Sequence, residues 1–270
     1  MFSGDSTVLV IAAHPDDEVL GVGGTIRRHA DAGDSVHILV VTEGTTAQYD
    51  DRAIIAQKRA QVRKSGSILG VDDTQFADLP DMQLDTIAHT ELNAVLEDAI
   101  TAVQPDTVYT HTATGLNEDH RQIHHSTLVA ARPHSGVAHI YSYFVGSSSE
   151  WSPSTPEFDP RMFVSIDETI ETKIEAMECY ATELRPYPHP RSSKRVREYA
   201  AYFGGHVGSR YAEAFEVIRT CINATHWTGL AGTPTTVASV STSSSTTAPA
   251  PTVAPSATST PSVRTAPGPR

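Results

Sequence analysis

TVLVIAAHPDDEVLGVGG, residues 7–24, decides the fold. Residues 7–13 form an unbroken apolar run without alternation, which is what a strand buried on both faces requires. The run passes directly into His14-Pro15-Asp16-Asp17-Glu18, and a helix is predicted over residues 21–32. A buried strand feeding a polar turn and then a helix is the opening of a βαβ unit. The glycines at 21, 23 and 24 do not make a dinucleotide fingerprint in the right place, and the acidic turn before them would repel a pyrophosphate. They read as positions where the helix packs closely on the sheet.

Working outward, the same alternation repeats. Further strands are predicted at 36–41, 75–77, 107–110, 139–143 and 161–166. Helices are predicted at 51–69, ending at Gly70, at 87–103, stopped by Pro105, and at 120–131, ending before Pro133. Two more are predicted at 167–184, with Asp167 as N-cap, and at 195–203. The pattern implies a Rossmann-like α/β fold, a mostly parallel sheet with helices on both faces in a three-layer sandwich. Beyond residue 228 the composition turns to Ser, Thr, Pro and Ala, with Arg264 and Arg270 the only charges. Such a stretch buries too little apolar surface to offset its ordering entropy. The expected division is therefore a folded domain over residues 1–222 and a disordered tail over 223–270.

Composition removes several classes of function. No apolar run reaches the 18 residues a membrane span needs. The start lacks a basic region followed by a long apolar stretch, so no signal peptide and a cytoplasmic location are expected. Two cysteines make neither a disulfide scaffold nor a four-cysteine zinc site, and Cys179 is expected in a helix core. A net charge of -12 argues against a nonspecific nucleic-acid binder. The 20 basic residues are mostly Arg. Acidic surplus with scarce Lys suits a high-salt cytoplasm and an ordinary acidic protein about equally.

In an open α/β sheet, ligands bind beyond the carboxyl ends of the strands. The residues there are His14 to Glu18 after the first strand, and His111 followed by Gly115-Leu116-Asn117-Glu118-Asp119-His120 after the strand at 107–110. Two clusters of imidazoles and carboxylates thus converge on one sheet edge. Two histidines and a carboxylate suit a divalent ion such as Zn²⁺, with a coordination position left open for water. Of two adjacent aspartates, one can bind metal while the other faces substrate and handles protons. Pro15 restricts the turn. His124, one helical turn past His120, is spaced for a zinc pair with it, though a supporting role is the preferred reading, and Asp119 has an N-cap as its plain alternative.

These residues resemble the LmbE-like, PIG-L-type de-N-acetylase family. The resemblance is carried by Ala13 to Glu18 with Leu20 to Gly24, by Asp119-His120, by Leu79 to Leu84, and by Tyr211 to Phe215. It implies zinc-dependent hydrolysis of the N-acetyl amide of an N-acetylglucosamine-type sugar or glycoconjugate. His14, Asp17 and His120 would bind the metal, and Asp16 would be general base and then acid. The family often has a histidine at the position of Asn117. Stabilising the oxyanion would then fall to Asn117 or to His111, which leaves the same strand. Arg59 matches a substrate-contacting position, Asp81 would order the same rim, and His189 and Arg191 would reach the sugar from the C-terminal region. Tyr141, Tyr143, Phe144 and Trp151 fit sugar stacking and core packing equally. The rival readings are an amidase for a larger N-acyl or thiol conjugate, and a nonenzymatic sugar-binding module. The expected partner is a small N-acetylated amino sugar, and a homo-oligomer stays open.

Overall fold

The computed structural model describes residues 1–45, 52–151 and 157–222. The expected tail, 223–270, lies outside the described residues. The strands are β1 Thr7–Ala12, β2 Ser35–Thr42, β3 Asp73–Leu79, β4 Thr107–His111, β5 His139–Tyr143, β6 Met162–Ser165 and β7 Ala212–Thr220. The helices are α1 Asp17–Ala32, α2 Arg52–Leu69, α3 His89–Val103, α4 Glu118–Ala130, α5 Ile170–Glu178 and α6 Ser193–Gly205.

The strands form one sheet in the order β3-β2-β1-β4-β5-β7-β6. Strands β1 to β5 pair in parallel, and β7 runs antiparallel between β5 and β6. This is the expected mostly parallel α/β sheet. Along β1, Val8 and Val10 pack with α1, α2, α5 and α6 on one face, while Leu9 and Ile11 pack with α3 and α4 on the other. That two-sided burial is why residues 7–12 read as continuously apolar. Strand order reverses between β1 and β4. Each is followed on one side by a different neighbour, so a crevice opens at their carboxyl ends.

Close packing at the glycines follows the sequence reading. A Cβ on Gly21 would lie 2.2 Å from the ring of Tyr143, and one on Gly24 would lie 2.6 Å from Ile166. Only a bare backbone lets α1 lie this close to the sheet.

Four expectations need correction. Helix α1 begins at Asp17 rather than residue 21, because the Asp16 carbonyl accepts the N–H of Val19 and of Leu20 at 3.1 and 2.9 Å and starts the helix early. Helix α5 covers Ile170–Glu178, shorter than 167–184. Asp167 is not its N-cap, since its carboxylate accepts the N–H of Tyr211 at 2.7 Å and ties down the approach to β7. Cys179 stands at the C-terminal end of α5, half-buried rather than in the core. Strand β7 had no counterpart among the expected elements. Its sequence, AEAFEVIRT, carries Glu213 at a buried position, where Lys173 and the N–H groups of Gly24 and Thr25 satisfy its carboxylate. A glutamate inside a strand reads as polar until that partner is seen.

Candidate metal centre

The turn after β1 and the start of α4 deliver the site. His14 to Asp16 leave β1, Asp17 opens α1, and His120 lies in the first turn of α4. Asn117 caps α4, its Oδ1 accepting the N–H of Asp119 at 2.9 Å and of His120 at 3.4 Å. That cap fixes the direction in which His120 leaves the helix.

His14, Asp17 and His120 form a buried group with donor atoms close enough to share one ion. His14 Nδ1 lies 3.1 Å from Asp17 Oδ2, His120 Nε2 lies 3.2 Å from the same oxygen, and the two ring nitrogens are 3.3 Å apart. Metal–ligand bonds of about 2.0–2.1 Å at tetrahedral angles separate donor atoms by roughly 3.3 Å. The three spacings therefore match one triangular face of a tetrahedral site, and the residues fit a divalent ion.

His14 is oriented from behind. Its Nε2 lies 3.1 Å from Asp119 Oδ2 and 3.2 Å from Asp81 Oδ1. A proton on Nε2 leaves the Nδ1 lone pair free for an ion. Asp119 is itself fixed by the N–H of Met82 at 2.7 Å and of Leu84 at 3.1 Å. It is therefore not the N-cap of α4; Asn117 is. His14, Asp81 and Asp119 also lie within metal-binding reach of one another, but through the far side of the same imidazole. Asp81 is buried beneath His14 and does not lie on an exposed rim.

Of the two residues expected near an oxyanion, His111 is held through Nε2 while its Nδ1 has no hydrogen-bond partner among the described residues, and Asn117 caps α4 through its carboxamide oxygen. His111 is fully buried and stacks on His120 with ring centroids 3.9 Å apart. Its Nε2 accepts the N–H of Ala13 at 2.9 Å and lies 3.1 Å from the Tyr143 hydroxyl. An acceptor held by the backbone cannot donate from that atom to a substrate. His124 donates to the His111 carbonyl at 2.8 Å, which supports the same stack. The Asn117 carboxamide oxygen is held by α4, and its Nδ2 lies 3.6 Å from Met82 Sδ.

Asp16 is the outlier. It is fully buried, and neither carboxylate oxygen has a hydrogen-bond partner among the described residues. Arg191 Nε stands 3.3 Å from Asp16 Oδ2 as an ion pair. The Arg191 guanidinium also meets Glu183 at 2.8 Å, and Glu183 meets Lys58 at 2.8 Å. Arg191 is thus turned toward the Asp16 and Glu183 carboxylates, whereas the sequence reading expected it to reach the sugar. His189 is exposed, its Nδ1 accepting the N–H of Arg191 at 3.1 Å. Arg59 pairs with Asp78 and, with Glu43, Ile55, Ala56 and Arg63, lines a cavity of about 580 Å³. A wider cavity, about 1000 Å³, lies between α6 and the connection from β5 to β6 and contains none of these residues. Tyr141 and Tyr143 are core residues, whereas Trp151 is exposed.

The two adjacent aspartates are driven apart. Burial pushes Asp16 well above the usual carboxylate range, an effect the Arg191 guanidinium only partly offsets. Burial acts the same way on Asp17, but the imidazoles of His120 and His111 and hydrogen bonds to His120 and His14 outweigh it and hold Asp17 well below that range. Burial opposes protonation of His14, yet its bonds to Asp119, Asp17 and Asp81 raise it well above the ordinary imidazole value. Burial, reinforced by His120, holds His111 well below it and keeps that ring neutral. Two carboxylates whose environments separate them in this way are suited to different tasks, one as ligand and one as proton carrier.

Comparison with known proteins finds relatives in sequence and in fold. Residues 9–131 match the family model PIG-L, GlcNAc-PI de-N-acetylase. The uncharacterized deacetylase YaiS of Escherichia coli K12 is 30% identical over 169 residues, covering 60% of this chain and 82% of that protein. Diacetylchitobiose deacetylase of Thermococcus kodakarensis is 25% identical over 228 residues, covering 80% of this chain and 85% of that protein. The fold alone is shared with GalB, the 4-carboxy-2-hydroxymuconate hydratase of Pseudomonas putida KT2440. That structure has a TM-score of 0.65 at 21% identity and covers 82% of this chain and 99% of that one.

Proposed function

The chain belongs to the PIG-L family of de-N-acetylases, and from that premise we propose that it hydrolyses the N-acetyl amide of an N-acetylglucosamine-type sugar or glycoconjugate. Acetate and a free amine are the products. One observation carries the reading: a three-donor group with tetrahedral spacing lies beside a buried aspartate whose oxygens have no hydrogen-bond partner among the described residues. His14, Asp17 and His120 would hold one divalent ion, with zinc the first candidate. Bound there, it would make water more acidic and polarise the amide carbonyl.

The chain's own residues supply the rest. Asp16 takes a proton from the attacking water and returns it to the departing nitrogen, which leaves as an amine. Burial raises Asp16 above the ordinary carboxylate range, which makes it a stronger proton acceptor than an exposed aspartate, as the first half of that task requires. Arg191 keeps the ionised form of Asp16 in place and is itself held by Glu183. Asp119 and Asp81 orient His14, and His111 holds the ring of His120 by stacking. Arg59, which lines its own cavity, and His189, exposed two residues before Arg191, keep a substrate-contacting role in this reading.

The hydratase on the same fold shows why the reading needs its own test, since fold does not fix reaction. Metal-loaded protein is assayed for acetate release from N-acetylated glucosides and chitooligosaccharides, alongside propionyl, butyryl and longer N-acyl analogues. The expected outcome is acetate and amine in equal amounts, with the N-acetyl compounds preferred. Faster cleavage of the longer acyl groups would favour the amidase reading. Saturable sugar binding without product would make the chain a binding module.

A further inference from the structure

Glu18 is fully buried, offers no ligand to the metal group and takes no part in the proposed reaction. Its two oxygens are nonetheless assigned. Oε2 accepts the backbone N–H of Asp16 at 3.2 Å, and Oε1 accepts the hydroxyl of Tyr180. Tyr180, also fully buried, lies just beyond the end of α5.

The backbone of Asp16 explains why such a brace is needed. Asp16 is the N-cap of α1, yet it has φ 109° and ψ -21°, in the left-handed region. An ordinary N-cap residue is extended, and its side-chain oxygen accepts an N–H from the first turn of the helix. Asp16 makes no such bond. A non-glycine residue persists at positive φ only when its surroundings over-determine it. Here the Asp16 carbonyl accepts from Val19 and Leu20 in the peptide that follows the residue, and Glu18 takes the Asp16 N–H in the peptide that precedes it. An extended Asp16 would offer its carboxylate to the helix and lose it as a base. The left-handed conformation holds that carboxylate off the helix end.

We propose that Glu18, braced by the Tyr180 hydroxyl, is a positioning residue that locks Asp16 in the left-handed conformation and so keeps its carboxylate free to move protons. This proposal rests on the reading of Asp16 as the general base. Glu18 acts through the acceptor atom it presents to the Asp16 N–H, not through its charge.

The test uses full-length, metal-loaded protein carrying Glu18→Ala, Glu18→Gln or Tyr180→Phe. Glu18→Ala should lower kcat by about 100-fold, within the range a general base contributes, with KM and metal content near wild type. Glu18→Gln should keep most of kcat, since a carboxamide oxygen still accepts the Asp16 N–H and its NH₂ still reaches the Tyr180 oxygen. Tyr180→Phe should fall between them. Wild-type kcat in folded, metal-loaded Glu18→Ala would overturn the proposal, as would Glu18→Gln being as impaired as Glu18→Ala. Should Glu18→Ala not fold, the ranking of Glu18→Gln above Tyr180→Phe decides the matter. A second readout is independent of turnover. Crystal structures of Glu18→Ala and Tyr180→Phe should show Asp16 leaving positive φ in at least the first, and Asp16 unmoved in both would overturn the brace. If wild-type protein cleaves no N-acyl substrate, the base reading fails, and the backbone at Asp16 still decides whether Glu18 holds it.

Discussion

Helix α1 carries an aspartate–histidine group at each end, and the two are built to opposite rules. At its last turn, His29 Nδ1 lies 2.7 Å from Asp34 Oδ2, and Nε2 lies 3.0 Å from the Tyr109 hydroxyl. The other Asp34 oxygen accepts the N–H of Gly4 at 2.7 Å and of Ser6 at 3.1 Å. Every nitrogen and oxygen of the two side chains has a partner. At the first turn, both oxygens of Asp16 and one of Asp17 have no hydrogen-bond partner among the described residues. Buried polar groups are normally satisfied because leaving them bare is costly. The last turn follows that rule and serves stability. The first turn breaks it where a cation, a proton and a substrate would arrive.

The comparison is broken most sharply at Asp16. Asp16→Asn should retain metal and lose turnover by roughly 10²–10⁴-fold, the range for removing a general base. It should also raise the melting temperature of the metal-free protein at neutral pH. Burial lifts the Asp16 pKa, so the unfolded chain loses this proton at lower pH than the folded one. Ionisation therefore penalises the folded state above the ordinary Asp range, and asparagine escapes the penalty. Calorimetry and steady-state rates on the same preparation check both halves.

Asp34 should behave in the opposite way. Asp34→Ala leaves His29 and two N–H groups without their acceptor and should cost about 3 kcal/mol by denaturant unfolding, as expected for breaking a buried pair. Turnover per folded molecule should not change. Burial tends to raise Asp34, but bonds from His29, Ser6 and Gly4 prevail and lower it, while burial lowers His29. Both folded-state values lie below their unfolded ones. The stability they contribute is present above about pH 6.5 for His29 and about 3.9 for Asp34, and is lost as pH falls through the folded values. The variant should lose the Asp34 part of that acid sensitivity.

A smaller effect sharpens the account at the supporting carboxylate. Asp119→Asn should weaken zinc affinity by about 10–100-fold, because His14 loses the charge that orients it and fixes its tautomer. Competition with a chromophoric chelator measures this, and unchanged affinity would demote Asp119 to a brace for residues 82–84.

The sequence was most informative where structure is local. Strands buried on both faces announce themselves as continuous apolar runs, and the turn after β1 follows at once. The convergence of His14 and His120 was legible because parallel strands place their carboxyl ends on one edge. The roles of Asp119, Asp81 and Arg191 were not legible, since each is set by contacts across long loops. Asp119 meets Met82 and Leu84, Asp81 lies under His14, and Arg191 crosses to Asp16. Asn117 carries a local signal for its role, an asparagine directly ahead of a helix. By contrast, nothing in the sequence shows that the N–H of Ala13 fixes the His111 ring through Nε2, leaving Nδ1 as its one nitrogen without a hydrogen-bond partner among the described residues.

The central claim is that one ion is held by His14, Asp17 and His120, and crystals soaked in zinc test it by anomalous scattering at the zinc edge. The account predicts a single strong peak about 2.0–2.1 Å from His14 Nδ1, Asp17 Oδ2 and His120 Nε2. A peak on the opposite face of the imidazole, between His14 Nε2, Asp81 and Asp119, or the lack of any peak at His14, would contradict it.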